Sequence, residues 1–144
     1  IAFSTVKSAF YCKFLGFGWK LLYDTNPVLV GTKKKLQFFP VVGQGQECIS
    51  PHKVWELAGV LGADLGQLDA ELLCENQDML AECPDDVLFI LFPGTEWEHR
   101  NGARLWPYLF RKDKEGKWDI YAFWLTVHFT KGYNLVRLEQ GSLG

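Results

Sequence analysis

The residues best suited to catalysis lie in one short segment that contains Glu96, Glu98 and His99. Carboxylates and an imidazole can act as general acid and base, and either Cys74 or Cys83 could supply a nucleophilic thiolate. Side chains alternate between the two faces of a strand, so Glu96 and Glu98 would share one face and His99 would lie on the other. The segment alone does not assemble an acid and base pair. We therefore predict that the protein is not an enzyme and has no catalytic residues.

The sequence signals for a metal site or a nucleotide-binding loop are also weak. The three histidines, His52, His99 and His128, lie far apart and show no ligand spacing, and no loop concentrates the carboxylates that hard cations require. The segment Gly43-Gln44-Gly45 lacks the lysine and the further glycine of nucleotide-binding loops and predicts a turn. We expect no metal and no cofactor.

Four cysteines occur without any C-x-x-C pair, which favours buried free thiols over a zinc site or a dense disulfide framework. Pairing of any two stays open if the compartment is oxidising. They are Cys12, Cys48, Cys74 and Cys83.

The most informative feature of the chain is the concentration of aromatic residues in the segment from Phe89 to Tyr133. This segment contains twelve of them, including four of the six tryptophans of the chain. A small domain buries only part of such a set, because one face of an antiparallel sheet usually meets water. The alternative is that Trp106, Phe110 and Trp124 fill a core over the helices. The predicted ligand-binding residues are Trp106, Tyr108, Trp118, Tyr121, Trp124, His128 and Tyr133.

Two helices are expected in the middle of the chain. Ser50 can cap a helix whose first residue is a proline, and Gly62 can end it in a left-handed conformation. A second helix should begin at Asp64, with Gln67 completing a capping pair, and should continue toward Met79. Only two or three residues connect them, so we expect the helices to be neighbours.

Strands should flank the helices on both sides. Residues 1–49 read as strands and loops, with 36–42 as the first well-formed strand. From residue 87 the pattern becomes strand-like: 87–92 is a continuous apolar run that predicts a strand buried on both faces, and the alternating segment 95–99 leads to a hairpin signal at Asn101-Gly102. We predict an α+β fold with one strand, two adjacent helices and a C-terminal antiparallel meander of about four strands. The whole chain, 1–144, is predicted to be one domain with segments 1–49, 50–84 and 87–138.

The gross composition limits partners and location. The net charge of −2 and the sequence pI of about 5.9 make nucleic acid an unfavoured partner, and the run Lys33–Lys35 reads as a solvated loop. Lys7, Lys13 and Lys20 interrupt the apolar start, so we predict no membrane span and no signal peptide with an apolar centre. Because the chain starts at Ile1, its N-terminus is open to being incomplete. Localisation stays undetermined, with the cytoplasm slightly favoured, and the oligomeric state stays unknown.

Two motifs carry a family resemblance. The decapeptide ELLCENQDML at 71–80, followed by an apolar strand and Phe92-Pro93-Gly94-Thr95, resembles a family of small uncharacterised proteins of candidate-phylum bacteria. The C-terminal halves of that family are similar to the C-type-lectin-like variable proteins of diversity-generating retroelements. The resemblance covers about half of this chain, and it implies a C-type-lectin-like fold whose sheet displays a ligand-binding surface on a rigid frame.

These observations predict a non-enzymatic binding module that presents aromatic residues of its C-terminal sheet to a protein or another macromolecule. The alternative is a nucleic-acid-associated accessory protein that stacks single-stranded bases on its tryptophans and tyrosines. The lysines that would accompany those bases are Lys112, Lys114, Lys117 and Lys131.

Overall fold

The computed structural model of the protein describes residues 19–29, 35–112, 116–125 and 128–139. The side chains of Phe123 and Trp124 lie outside this description, although their backbones belong to a strand. Several sequence predictions also fall outside the described residues. They concern most of the N-terminal segment with Lys7, Cys12 and Lys13, the lysines Lys33, Lys34 and Lys114, and the tip of the turn at 113–115.

The described residues form a mixed α+β structure, which confirms the predicted fold class and the two helices. The elements, in chain order, are β1 (Lys20–Tyr23), β2 (Leu36–Pro40), α1 (Pro51–Leu61), α2 (Gln67–Glu75), a 3₁₀ helix (Gln77–Leu80), β3 (Phe89–Leu91), β4 (Glu96–Glu98), β5 (Arg104–Arg111), β6 (Trp118–Trp124) and β7 (Tyr133–Leu138).

Helix α1 begins and ends where its capping residues predict. Ser50 Oγ accepts a hydrogen bond from the Lys53 amide at 3.3 Å, and Gly62 closes the helix with φ = 66°. Val54 and Ala58, one helical turn apart, are buried, so α1 turns a narrow apolar stripe toward the sheet.

Helix α2 begins three residues later than predicted. Gly66, rather than Asp64, is its N-cap, and the Gln67 amide donates to Thr95 Oγ1 at 2.8 Å. The preceding residue, Leu65, accepts a hydrogen bond from the Gly94 amide at 3.0 Å. Residues 64–66 are therefore held by the connection between β3 and β4, and this tertiary contact overrides the local capping signal.

The sheet is curled and mostly antiparallel, and β5 is its central strand. Strand β6 lies along one edge of β5, and β3 and β4 lie one after the other along the opposite edge. Strand β1 pairs with the other edge of β4. On the β3 side, β7 pairs with β3, and β2 pairs with β7. This arrangement confirms the antiparallel hairpin of β4 and β5 at Asn101-Gly102, where the His99 amide donates to the Ala103 carbonyl at 2.8 Å.

The predicted strand arrangement is wrong in two respects. Among the described residues, two strands rather than one, β1 and β2, precede the helices, and both belong to the sheet. Strand β7 does not follow β6 across the sheet; it pairs in parallel with β3 and antiparallel with β2. Shortly before β7, Phe129 and Ile49 exchange two backbone hydrogen bonds of 2.9 Å. The buried strand β3 thus obtains hydrogen-bond partners on both edges, which a four-strand meander would not provide.

The two helices cover opposite faces of this sheet, so the prediction that they lie next to each other is wrong. The five residues 62–66 connect them and lead from one face to the other. One core cluster contains Ala70 and Leu73 of α2 with Leu109 of β5, and the other contains Val54 of α1 with Trp106 of β5. Because neighbouring side chains alternate between faces, the even-numbered positions of β5 belong to the α1 face and the odd-numbered positions to the α2 face.

Candidate aromatic binding site

Five aromatic rings on strands β3, β5, β6 and β7 form a continuous group, which we call the aromatic patch. All five are at least partly exposed, and each ring lies within 6.5 Å of at least one other, measured between centroids. Phe129 also meets Tyr133 at 5.2 Å but is completely buried and is not counted as a member. The members are Phe89, Tyr108, Phe110, Tyr121 and Tyr133.

Strand register creates the patch. Tyr108 and Tyr121 are directly opposed on β5 and β6, and their rings meet edge to face at 6.5 Å and 81°. Phe89 and Tyr133 are directly opposed on β3 and β7, and their rings stack at 4.3 Å and 13°. The Phe89 and Tyr108 rings join the two pairs at 5.9 Å. Such offset and edge-on pairs add stabilisation beyond their buried area.

The patch is open to solvent to a useful degree. The Tyr121 residue is 57% exposed, and the other four members are half-buried. The next alternate position along β5, Trp106, is buried in the α1 core cluster, so the patch begins where that core ends. Half-exposed rings on a braced sheet are suited to contact a ligand at low cost in conformational entropy.

The phenols of the patch are neutral hydrogen-bonding groups. Burial raises the pKa of Tyr108, with smaller contributions from Tyr133 and Tyr121, and burial also raises the pKa of Tyr133. Since an ordinary tyrosine titrates near pH 10, both hydroxyls keep their protons at neutral pH and can donate as well as accept hydrogen bonds.

A cleft of about 400 Å³ borders the patch at Tyr133. Its wall combines apolar groups such as Phe38 and Val42 with side chains of opposite charge, Asp86 and Lys131. The patch therefore continues into a concave, mixed surface rather than ending at a flat edge.

Two predicted site residues belong to the cores instead. Trp106 is 2% exposed, its indole N–H donates to Glu96 Oε1 at 2.9 Å, and its ring stacks on Phe129 at 6.0 Å. Trp118 is 4% exposed and lies under the Arg111 guanidinium, 4.6 Å from its ring centroid. Neither indole presents a free face to a ligand in this structure. Tyr108, Tyr121 and Tyr133 are the predicted site residues that the structure brings together.

His128 is exposed, and its Nδ1 atom lies 3.5 Å from Cys48 Sγ. These two residues flank the bridge between Ile49 and Phe129, which brings together segments 80 positions apart in the chain. Sequence reasoning missed this contact because neither residue belongs to a spacing motif. Cys48, Cys74 and Cys83 are all free thiols.

The side chains of Glu96, Glu98 and His99, considered above as catalytic candidates, make structural contacts. Glu96 is buried and accepts hydrogen bonds from Trp106 and from the Tyr23 hydroxyl, the latter at 3.0 Å. Glu98 lies 3.5 Å from Arg104, and the His99 ring packs against Trp19 at 4.8 Å. Arg104 also lies 3.4 Å from Glu96 Oε2, so its guanidinium joins the two acidic groups, whereas the imidazole has a different partner.

Phe89 and Phe110 are patch members that sequence reasoning did not include. Phe89 lies in an apolar run that predicted a strand buried on both faces, and only its pairing with β7 shows that its ring reaches the patch. The alternation of Trp106, Tyr108 and Phe110 on one strand face was the signal for the second residue, which was assigned to the core alternative.

Within the part of the chain that the structure describes, no group of three or more His, Cys, Asp or Glu side chains could hold a metal ion. Among the same residues, no helix has the length and apolar character needed to cross a membrane. Comparisons of the chain with models of protein families, with curated proteins and with solved structures found no match.

Proposed function

We propose that the protein is a non-enzymatic binding module whose aromatic patch contacts a protein ligand. The observation that carries the proposal is the continuous contact of five aromatic rings across four strands, with Tyr121 more than half exposed at its edge. Tyrosine is a preferred contact residue at protein interfaces, because it combines a large rigid ring with a hydroxyl that can bond in either direction.

The electrostatics favour a protein over a nucleic acid. Single-strand binding combines stacking rings with a positively charged groove, whereas this chain carries a net charge of −2. In the bordering cleft, Lys131 is balanced by Asp86. A surface of neutral phenols and balanced charges matches the composition of protein interfaces more closely than that of a phosphate-binding groove.

The architecture supports the finer proposal of a C-type-lectin-like module related to the variable proteins of diversity-generating retroelements. The described residues combine two helices with a curled, mostly antiparallel sheet, and the aromatic patch lies on that sheet. The sequence resemblance implies a sheet that displays a ligand-binding surface on a rigid frame, and we assign that surface to the patch.

The test is affinity capture from a lysate of the source organism with the wild-type protein and matched variants. Tyr121→Ser removes the most exposed ring of the patch, and Val60→Ser removes an exposed apolar side chain of α1 that is 84% exposed. We expect one or more proteins to be captured by the wild-type and Val60→Ser forms and lost with Tyr121→Ser. Binding of each captured protein is then repeated with purified components.

Trp118 is unsuitable for this comparison, because truncation of its buried ring should cost about 3–5 kcal/mol of stability. Identical capture by the Tyr121→Ser and wild-type forms would contradict the proposal. Binding of short single-stranded DNA at low salt, abolished by Tyr121→Ser and by added salt, would instead establish the nucleic-acid alternative.

A further inference from the structure

A second cleft lies away from the aromatic patch, between α1 and the end of β1. It encloses about 260 Å³, and we call it the Trp55 cleft. The residues of its wall that matter here are Tyr23, Thr25, Trp55, Glu56, Asp64 and Gly94. We propose that this cleft binds an organic ammonium cation.

The wall contains two aromatic side chains: Trp55 is accessible to solvent, and Tyr23 is held in place by a hydrogen bond. Trp55 is 52% exposed although it lies in the middle of α1, because it falls beside the apolar stripe that contains Val54 and Ala58. Tyr23 is 36% exposed at its rim and is held from behind by its hydrogen bond to Glu96. An exposed indole beside a braced phenol provides the ring faces that attract a cation.

The phenol of Tyr23 remains uncharged at any ordinary pH. Burial raises its pKa to about 12, the negative charge of Glu96 adds to the shift, and the indole N–H groups of Trp106 and Trp55 act in the opposite direction. Tyr23 and Trp55 both line the cleft.

The charges of the wall are of one sign. Glu56 and Asp64 are both exposed acidic residues, and no lysine, arginine or histidine is part of the cleft wall that the structure describes. Glu56 Oε1 also lies 2.9 Å from His52 Nε2, but both side chains are exposed, and such surface contacts contribute little. A cation entering the cleft therefore meets two carboxylates and two rings, whereas an anion meets repulsion.

The size of the cleft restricts what enters it. Sites for drug-sized ligands typically enclose roughly 300–1,000 Å³, and this cleft is smaller. The cleft is suited to the cationic group of a larger molecule or to a small cation. That group is either the ammonium of a small free ligand or the side chain of a lysine in a peptide. The two sources share one chemistry and are separated by experiment.

The experiment follows the Trp55 indole N–H signal in ¹H–¹⁵N correlation spectra of the full chain, with the signal assigned from Trp55→Phe. The probes are choline chloride, its neutral isostere 3,3-dimethyl-1-butanol, and N-acetyl-lysine methylamide. We expect a saturable shift with one or both cations and none with the isostere. A response to choline alone identifies the quaternary ammonium group of a small free ligand, and a response to the lysine derivative identifies the lysine side chain of a peptide.

Matched variants separate binding from structural damage. Trp55→Leu should weaken cation binding by about 2- to 30-fold, as the strength of a cation–π contact implies, and is followed through the shifted backbone amides of α1. Asp64→Asn should weaken it as well, whereas Val60→Ala on the same helix should not. Equal shifts with the isostere, no saturable shift, or wild-type affinity in Trp55→Leu would each overturn the proposal. Because Tyr121 is not part of this cleft, Tyr121→Ser should leave cation binding unchanged.

Discussion

The indole N–H of Trp97 donates a 2.6 Å hydrogen bond to the side-chain oxygen of Gln67, and both residues are completely buried. Gln67 is the first residue of α2, and Trp97 is the middle residue of β4. The bond therefore ties the start of a helix to the middle of strand β4.

Removing the acceptor should destabilise the fold. In Gln67→Leu the buried Trp97 indole N–H loses its 2.6 Å hydrogen bond to Gln67, and we expect a loss of about 1–3 kcal/mol in the free energy of unfolding. Urea denaturation measures the loss, with the exposed Gln44→Leu as the matched control. A second variant, Gln67→Leu with Trp97→Phe, tests the cause, because removing the donor should recover part of the loss. A change below about 0.5 kcal/mol in Gln67→Leu would contradict this account.

Two glycines should respond in opposite directions to the same substitution. A Cβ atom at Gly94 would lie 2.1 Å from the Asp64 carbonyl oxygen, so Gly94→Ala must push the backbone at Gly94 away from that at Asp64. We expect the free energy of unfolding to fall by about 1–3 kcal/mol. A Cβ atom at Gly59 meets nothing within 4 Å, and this residue lies inside α1. Gly59→Ala should stabilise the protein by about 0.5–1 kcal/mol. Thermal unfolding measures both, and equal effects would show that the close approach at Gly94 is not important.

The buried carboxyl of Asp69 should make stability depend on pH. Burial raises its pKa, although the carboxylate accepts hydrogen bonds of 3.0–3.1 Å from the Leu29 and Val28 amides, and Asp24 adds to the rise. Since the folded pKa exceeds the unfolded value of about 3.9, the native state binds the proton more tightly between the two values. The resulting stabilisation is complete below the unfolded pKa and is lost as pH rises through the folded pKa.

The measurement is the free energy of unfolding of the wild-type and Asp69→Asn forms between pH 3 and pH 7. We expect the wild-type value, relative to Asp69→Asn, to fall as pH increases. The exposed change Asp86→Asn, measured in parallel, corrects for the general loss of a carboxylate. A difference that rises with pH would show that the two amide hydrogen bonds outweigh the cost of burial.

The described thiols should react with an alkylating reagent in a definite order. Cys48 is exposed, whereas burial raises the pKa of Cys74 and raises that of Cys83 to about 11. Thiolates are the reactive species, so iodoacetamide at pH 8 should modify Cys48 first and Cys83 last. Peptide mapping by mass spectrometry reads each site, and modification in urea, where burial is removed, is the control. Early modification of Cys83 in the native protein would contradict its burial.

The aromatic patch shows how far sequence reasoning reached. Tyr108, Tyr121 and Tyr133 were predicted as contact residues and are all at least partly exposed in one group. Trp106 and Trp118 carry the same kind of sequence signal but lie in the cores. Alternation along a strand places residues on a face; it does not show how far the opposing helix extends over that face.

The sequence by itself determined the local features of this protein. Helix α1 with its caps at Ser50 and Gly62, and the hairpin turn at Asn101-Gly102, follow from hydrogen bonds and backbone angles within a few residues. These interactions close over short distances, so their signals are present in consecutive letters.

Only the tertiary structure decided the features that join distant segments. The parallel insertion of β7 between β3 and β2, the late start of α2 against the turn after β3, and the meeting of Tyr23 with Trp55 at a cleft all depend on contacts between segments remote in sequence. Such contacts form because buried backbone and polar groups need partners, and the choice of partner is a property of the whole packed chain.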